Sequence, residues 1–274
     1  MIARLPTLGW ALAWSASSTG LARWIAVGGA LAPYWVLRAV RVGQIVPVVA
    51  GSVVVAWRLV RDERQVAAGL VLSLILLKPN TAILVPFALL AAGRYKTFIT
   101  WAAASAAIGI VALVTLGTGG VTAYTDQLTG QLPRGVDWLT LERAIGISGP
   151  AALALRLVII GATLAAAFRL RKSPGLAIAV GILGSLLIAT YLHDSDLCLL
   201  SAAAFLIWEE RSALKWRIPL AVGWLIAVPF VALSGHRPFQ TLWTLVELGM
   251  LAVLVVLAWR VERIEPRDRV ANAA

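Results

Sequence analysis

The 274-residue chain contains one cysteine, two histidines and only 13 acidic residues. A single Cys198 excludes disulfide bonds within the chain and metal sites built from several cysteines. Charged residues make up 14% of the sequence, which is too few to cover the surface of an ordinary soluble domain. The sequence also predicts no strands, so none of its glycine-rich stretches forms a strand-linked phosphate or dinucleotide motif.

What the chain has in abundance is apolar sequence. Hydrophobic residues make up 60% of it, and the mean hydropathy is +0.87. Repeated apolar runs bounded by Arg, Lys or turn residues are typical of helical proteins that cross a membrane several times. The net charge of +11 lies in short clusters between these runs, as the positive-inside rule predicts, so membrane lipids rather than nucleic acid are the expected surroundings.

The apolar runs predict an all-α, polytopic membrane protein with about nine membrane helices or half-helices. We expect one transmembrane domain over residues 1–274, with an outer loop at 117–149 and a cytoplasmic tail at 260–274. Two of the runs, Ala67–Ala92 and Leu176–Trp208, are interrupted near the middle and are expected to form hairpins. The runs are Leu5–Trp14, Leu21–Val36, Ile45–Val60, Ala67–Ala92, Phe98–Leu116, Pro150–Phe168, Leu176–Trp208, Pro219–Leu233 and Leu242–Trp259.

Basic clusters flank both hairpins and predict their orientation. The first hairpin lies between 61–64 and 94–96, and the second between 169–172 and 211–217. Such clusters stay on the cytoplasmic side, so the bends of both hairpins are expected on the outer face.

The first hairpin bends at Lys78-Pro79-Asn80. Pro79 lacks a backbone donor and disfavours helix at the residue before it, so the break is encoded locally. Charged residues at membrane depth usually face a cavity, and the Lys78 ammonium is then expected to bind a phosphate or pyrophosphate headgroup. The alternative is a lysine that extends along the helix end to reach the membrane surface.

The second hairpin is interrupted by Tyr191–Asp196, which reads Tyr-Leu-His-Asp-Ser-Asp. His193 and Asp194 are expected to recognise sugar hydroxyls or phosphate. The alternative is a polar turn in which Asp196 caps the helix that starts near Leu197. One histidine and two aspartates would suit a metal, but no second histidine lies nearby, so no metal site is predicted.

Other charged residues lie at predicted helix ends or within the runs. Arg38 and Arg41 are three residues apart on one helix face and, with Gln44, form either one wall of a phosphate pocket or ordinary lipid contacts. Glu247 and Arg156 lie inside predicted membrane helices. A structural ion pair between them is the expected arrangement, and exposure to the cavity is the alternative.

Taken in order, these motifs resemble glycosyltransferase family 87, which transfers sugars from polyprenol phosphate. The family shows a Gly-Gln pair, matched by Gly43-Gln44, and then a hairpin with Lys-Pro-Gln at its bend, matched by Lys78–Asn80. Basic residues follow at the foot of that hairpin, meaning the end opposite the bend, and are matched by Gly93–Lys96. Its later Tyr-Leu-His-Asp-Tyr-Asp-like turn is matched by Tyr191–Asp196. Asn80 stands where the family has Gln, and Ser195 where it has an aromatic residue.

The resemblance implies a type C fold and an inverting mannosyltransferase in the plasma membrane, with its site facing outside the cytoplasm. Its partners would be a polyprenyl-phosphate sugar donor and a lipid-linked or polysaccharide acceptor, with no cofactor. Lys78, Arg41, Gln44 and His193 would bind the donor phosphate. The residues implied to contact the rest of the substrate are Asn80, Asp194, Asp196 and Arg38.

The family's catalytic aspartate follows its first membrane helix, and no residue of this chain is assigned that role. Leu5–Trp14 is too short to span a bilayer, so residues 1–20 are expected to be the remnant of a preceding helix and loop, in an N-terminally truncated member. Two rival functions stay open: a transporter, flippase or non-catalytic lipid-phosphate-binding subunit, and a fragment that retains donor binding only. A transporter usually shows two similar halves, and the only similarity found here is between the two hairpins.

Overall fold

The described residues form helices and short connections only. The computed structural model describes residues 4–131, 139–228 and 237–261. These ranges contain no strand, so the predicted all-α fold is confirmed. The α-helices are α1 Arg4–Ser15, α2 Gly20–Leu31, α3 Tyr34–Arg41, α4 Val46–Arg61, α5 Gln65–Leu72, α6 Leu84–Ala91, α7 Tyr95–Gln131, α8 Leu141–Ile145, α9 Gly149–Arg169, α10 Pro174–Ile188, α11 Cys198–Glu210, α12 Leu214–Ala227 and α13 Arg237–Val261. Short 3-10 helices cover Ser73–Leu77, Pro79–Thr81 and Asp194–Leu197.

Three of the described helices are long and apolar enough to cross a membrane. They are α9 and the segments Tyr95–Asp126 of α7 and Gln240–Arg260 of α13. Shorter apolar helices have 10 to 17 residues. Among them, α2 packs against α11, and α10 packs against α6, α9 and α11. This arrangement agrees with the predicted helical membrane protein, in which the interrupted runs form half-helices.

The second hairpin occupies the centre of the fold. Its arm α10 packs against α11, α6, α9 and α13, and every residue of α10 up to Leu187 is buried. Small residues permit this close packing. A Cβ at Gly181 would lie 2.9 Å from the Cα atom of Val85, so α6 and α10 touch through their backbones. An arm buried on all sides needs no polar face, which explains its uninterrupted apolar sequence.

The first hairpin is broken as its sequence predicts. Its arms α5 and α6 are linked by two short 3-10 helices that meet at Lys78, whose φ and ψ of −156° and 76° are not helical. Arm α5 packs against α4 and α7, while α6 packs against α10. The bend of the first hairpin is therefore held next to the central hairpin.

Two predicted runs differ from the observed helices. The run Leu21–Val36 is divided into α2 and α3, because Pro33 at the N-cap of α3 is extended and cannot continue α2. The run Phe98–Leu116 is one part of α7, which has 37 residues and bends at Gly117, where φ is 62°. Much of the stretch predicted as an outer loop at 117–149 is therefore helical, in α7 and α8; residues 132–138 lie outside the described part.

The segment predicted as a remnant, residues 1–20, contains a packed helix. Helix α1 lies along α4, where Leu8 and Leu12 are buried. At the other end of the chain, α13 continues to Val261, so the first residues of the predicted tail are helical. Residues 262–274 lie outside the described part of the chain.

Candidate functional site

A buried ion pair joins the two bends. The ammonium of Lys78 contacts Oδ1 of Asp196. The Lys78 side chain is 12% exposed and that of Asp196 is fully buried. An ammonium has three donors, so contact with one carboxylate oxygen leaves Lys78 able to bind a second acceptor. The two charged bends predicted to share one face of the membrane therefore meet in space.

Asp196 also organises its own turn. Its Oδ2 accepts a hydrogen bond from the backbone N–H of His193 at 3.0 Å, and its backbone N–H donates to the His193 carbonyl at 2.8 Å. Asp196 is the third residue of the 3-10 helix Asp194–Leu197, so it does not precede α11 as the N-cap alternative required. Its carboxylate instead holds the turn and the lysine of the other hairpin together.

Asn80 forms a second link between the bends. Its Nδ2 donates to the Tyr191 carbonyl at 3.1 Å. Its Oδ1 is buried and has no hydrogen-bond partner among the described residues. One end of this amide is therefore structural, while the other is an acceptor that no described protein group uses.

Helix α3 brings an arginine to the second bend. It packs against the 3-10 helix Asp194–Leu197, and the Nε atom of Arg38 lies 3.6 Å from Oδ2 of Asp194. The Trp35 indole anchors α3 by donating to Oγ of Ser201 at 2.9 Å. Arg38 is 52% exposed and Asp194 only 7%, so the guanidinium is accessible while the carboxylate lies behind it.

The remaining predicted phosphate-binding residues lie around this core. Arg41 is exposed in the last turn of α3, one helical turn from Arg38, and Gln44 is half-buried just beyond it. His193 is exposed, and its ring meets that of Tyr191 edge-on at 6.3 Å. Arg38 contacts the second bend directly. Arg41 and Gln44 lie at and just beyond the end of the same helix, and His193 belongs to the bend and is exposed.

The predicted pair between Glu247 and Arg156 is wrong. Arg156 Nη2 lies 2.5 Å from Oε1 of Glu142 on α8. The side chains of Arg156 and Glu142 are 27% and 24% exposed, so this pair needs less desolvation than one with the buried Glu247. Glu247 is 1% exposed, and neither of its carboxyl oxygens has a hydrogen-bond partner among the described residues.

Two tyrosines to which the sequence assigns no role in binding also lie near the second bend. Burial raises the pKa of the Tyr191 phenol, and Asp196 and Tyr124 raise it further, so Tyr191 stays protonated at neutral pH. Tyr124 belongs to the extension of α7 beyond Gly117. Tyr124 is not predicted for the site, because the sequence from Gly117 onward is typical of a loop, whereas α7 continues through it.

The described residues thus combine the exposed guanidinium groups of α3 with two buried carboxylates and the buried amide oxygen of Asn80. Cations on the exposed side can bind an anion, and the inner oxygens can accept hydrogen bonds from hydroxyl groups. No cluster of His, Cys, Asp and Glu suited to a metal occurs within residues 4–131, 139–228 and 237–261.

The family model of Glycosyltransferase family 87 matches residues 1–229, which include both bends and α3. The chain therefore belongs to glycosyltransferase family 87 and is a membrane glycosyltransferase by family. Comparison with curated proteins and with solved structures gave no match. Helix α13, with Glu247, lies beyond the matched residues.

Proposed function

We propose that the protein transfers a mannosyl residue from a polyprenyl-phosphate donor to a cell-envelope glycolipid or polysaccharide acceptor, on the outer face of the plasma membrane. The observation that carries this proposal is the buried contact between Lys78 and Asp196, with the exposed Arg38 beside it. Family membership supports sugar transfer, and the arrangement of charges supports a lipid-phosphate donor.

The cations would act on the phosphate as it leaves. Breaking the sugar–phosphate bond increases negative charge on the phosphate oxygens, and fixed cations stabilise that charge more than they stabilise the intact donor. Arg38 and Arg41 are exposed and one turn apart, which suits two contacts to one phosphate. Lys78 would contribute one of its remaining donors while Asp196 holds it in place.

The inner side of the site suits the sugar. Asn80 has an unused buried oxygen, and Asp194 lies behind Arg38. These groups can accept hydrogen bonds from sugar or acceptor hydroxyls. Asp196 is occupied by Lys78 and by its own turn, so its part is to position Lys78.

An apolar groove next to α3 suits the lipid chain of the donor. It has a volume of about 460 Å³ and lies between α11, α12 and α13. Trp35 lines the groove and also begins α3, the helix that carries Arg38. A polyprenyl chain lying in this groove would bring its phosphate toward the arginines, while its apolar surface stays away from water.

The proposed orientation rests on the basic clusters. Arg61, Arg94 and Lys96 lie at the feet of the first hairpin, and Arg169 and Arg171 at the feet of the second. Arg94 lies 3.2 Å from Glu63, so the connections α4–α5 and α6–α7 lie side by side at the end opposite the bends. The positive-inside rule assigns this end to the cytoplasm, which would direct the bends outward.

Sugar transfer is tested with membranes containing the protein and radiolabelled polyprenyl-phosphate-mannose. We expect label to pass into lipid or polysaccharide, and Arg38→Ala and Lys78→Ala each to reduce this at least about tenfold, since a charge-assisted hydrogen bond is worth about 1.5–3 kcal/mol. Arg58→Ala is the matched control, because it removes an arginine paired with Asp62 at the opposite end. Absence of transfer by the unsubstituted protein, or equal effects of Arg38→Ala and Arg58→Ala, would contradict the proposal.

A further inference from the structure

Glu247 is a buried carboxyl group for which the described fold provides no hydrogen-bond partner. It lies on α13, is 1% exposed, and both of its oxygens are unpartnered among the described residues. Leaving a buried carboxyl group without partners is costly whichever protonation state it holds. A buried polar side chain that carries this cost points to a ligand.

The packing of α13 directs Glu247 toward the site. One turn before it, the Trp243 ring meets that of Trp35 edge-on at 4.8 Å, and Trp35 begins the helix that carries Arg38. Helix α13 also packs along α10, the arm that leads into the second bend. Glu247 is close enough to Asp196 for the two carboxyl groups to interact electrostatically.

Two side chains from different helices offer unpartnered buried oxygens. They are Glu247 on α13, with both carboxyl oxygens, and Asn80 at the first bend, with Oδ1. These oxygen atoms accept hydrogen bonds, so a ligand that binds them must supply hydrogen-bond donors. An ionised phosphate diester offers only acceptor oxygens and cannot donate a hydrogen bond to these atoms, whereas a sugar offers several hydroxyl groups.

We propose that Glu247 binds a hydroxyl group of the donor's sugar, so that the sugar lies inward, toward α13, and its phosphate outward, at Arg38 and Arg41. This inference rests on the proposed function and adds a residue that determines sugar recognition, on a helix beyond the part matched by the family model. Binding of the sugar requires the second bend and α13 to separate enough to admit it, since Glu247 is covered.

The inference predicts a difference between two lipids that share a phosphate. The detergent-solubilised protein is titrated with radiolabelled polyprenyl-phosphate-mannose and with polyprenyl phosphate. Glu247→Leu keeps the approximate volume of the side chain and removes its two acceptor oxygens. We expect it to weaken binding of the mannosylated lipid about tenfold and to leave binding of polyprenyl phosphate unchanged.

Two further variants separate recognition from structure. Glu247→Gln keeps an acceptor oxygen and is expected to bind the mannosylated lipid within about threefold of the unsubstituted protein. Glu142→Gln is the matched control, because Glu142 pairs with Arg156 on α9. The thermal stability of Glu247→Leu is expected to equal or exceed that of the unsubstituted protein, since an unpartnered polar group is removed; a purely structural role for Glu247 requires it to fall.

The outcomes distinguish this inference from the proposed function. Equal losses for both lipids in Glu247→Leu, or no loss for either, would overturn the role of Glu247 while leaving the transferase proposal intact. An unsubstituted protein that neither binds the mannosylated lipid nor transfers its sugar would overturn the proposed function, and the role of Glu247 with it. If Glu247→Leu does not fold, the outcome counts against the inference, because it indicates a structural role.

Discussion

The contact between Lys78 and Asp196 shows how burial changes the worth of a single charged pair. Exposed ion pairs contribute little, because water solvates each partner after the other is removed. Asp196 is fully buried, so removal of Lys78 leaves a charge that water cannot reach. The same pair joins the two bends and leaves the Lys78 ammonium able to donate to a ligand. Its effect on stability and its effect on function therefore have to be measured separately.

The stability of this pair is tested with Lys78→Met. We expect the free energy of unfolding to fall by about 3–5 kcal/mol, because Asp196 is left buried without its partner. The double variant Lys78→Met/Asp196→Asn is expected to recover more than half of the loss, since the amide still accepts the His193 N–H. Unfolding is followed by circular dichroism in detergent micelles. Equal stability of Lys78→Met and Arg58→Met would show that the pair is effectively solvated.

At the scale of helices, close contacts and helix-end anchors hold the central hairpin in place. Helix α10 approaches α6 through Gly181, where a Cβ would be 2.9 Å from the Val85 Cα atom. At the far end of α11, the Glu209 carboxylate accepts hydrogen bonds from the backbone N–H and hydroxyl groups of Ser17 and Ser18. The first contact sets the distance between helices, and the second joins the α1–α2 connection to α11.

Gly181→Ala tests the backbone contact of α10. The added methyl group forces α6 and α10 apart, and we expect a loss of about 1–3 kcal/mol in the free energy of unfolding. Gly161→Ala on α9 is the control, since no atom lies within 4 Å of its Cβ position. That variant is expected to be as stable as the unsubstituted protein or slightly more so, because alanine favours helix. Equal behaviour of the two variants would contradict the close contact.

Glu209→Ala tests the anchor between α11 and the α1–α2 connection. We expect a loss of about 2 kcal/mol in the free energy of unfolding, because four donors of Ser17 and Ser18 lose a charged acceptor. Glu63→Ala is the comparison, since Glu63 is 67% exposed and pairs with one arginine. If both variants lose the same free energy of unfolding, water replaces the four hydrogen bonds to Glu209 without a net cost.

Across the whole molecule, charged groups divide between two ends. Basic residues outnumber the acidic residues Asp62, Glu63, Glu209 and Glu210 at the feet of both hairpins, and cations lie beside buried carboxylates at the bends. This division is the basis of the proposed orientation, in which the bends face outward.

Labelling of introduced cysteines in intact cells tests this orientation. A membrane-impermeant maleimide is expected to modify His193→Cys without permeabilisation, and Lys96→Cys and Arg171→Cys only after it. All three positions are exposed, and the natural Cys198 is buried, so background labelling should be low. Labelling of His193→Cys only in permeabilised cells would reverse the orientation and remove the outer-face donor from the proposal.

Much of the fold was predictable where chain breaks are encoded locally. Lys78-Pro79 interrupts an apolar run, and the observed bend lies at that point, because a proline and a charge act on their immediate neighbours. Pro33 also favours a helix break, but the apolar run Leu21–Val36 continues across it and predicts one helix. The structure has a separate helix, α3, after Pro33. The extension of α7 was also missed, because its glycines and threonines resemble a loop while α7 continues through them.

The amino-acid sequence by itself determined the all-α membrane class, the two hairpins and the family, because each follows from local composition or from ordered motifs. Only the tertiary structure decided the partners of the charges: Lys78 with Asp196, Arg38 with Asp194, Arg156 with Glu142, and Glu247 with none of the described residues. The physical reason is that a charge pairs with whatever group packing brings within a few ångströms. Those groups lie up to 156 positions away in the chain, as for Arg38 and Asp194.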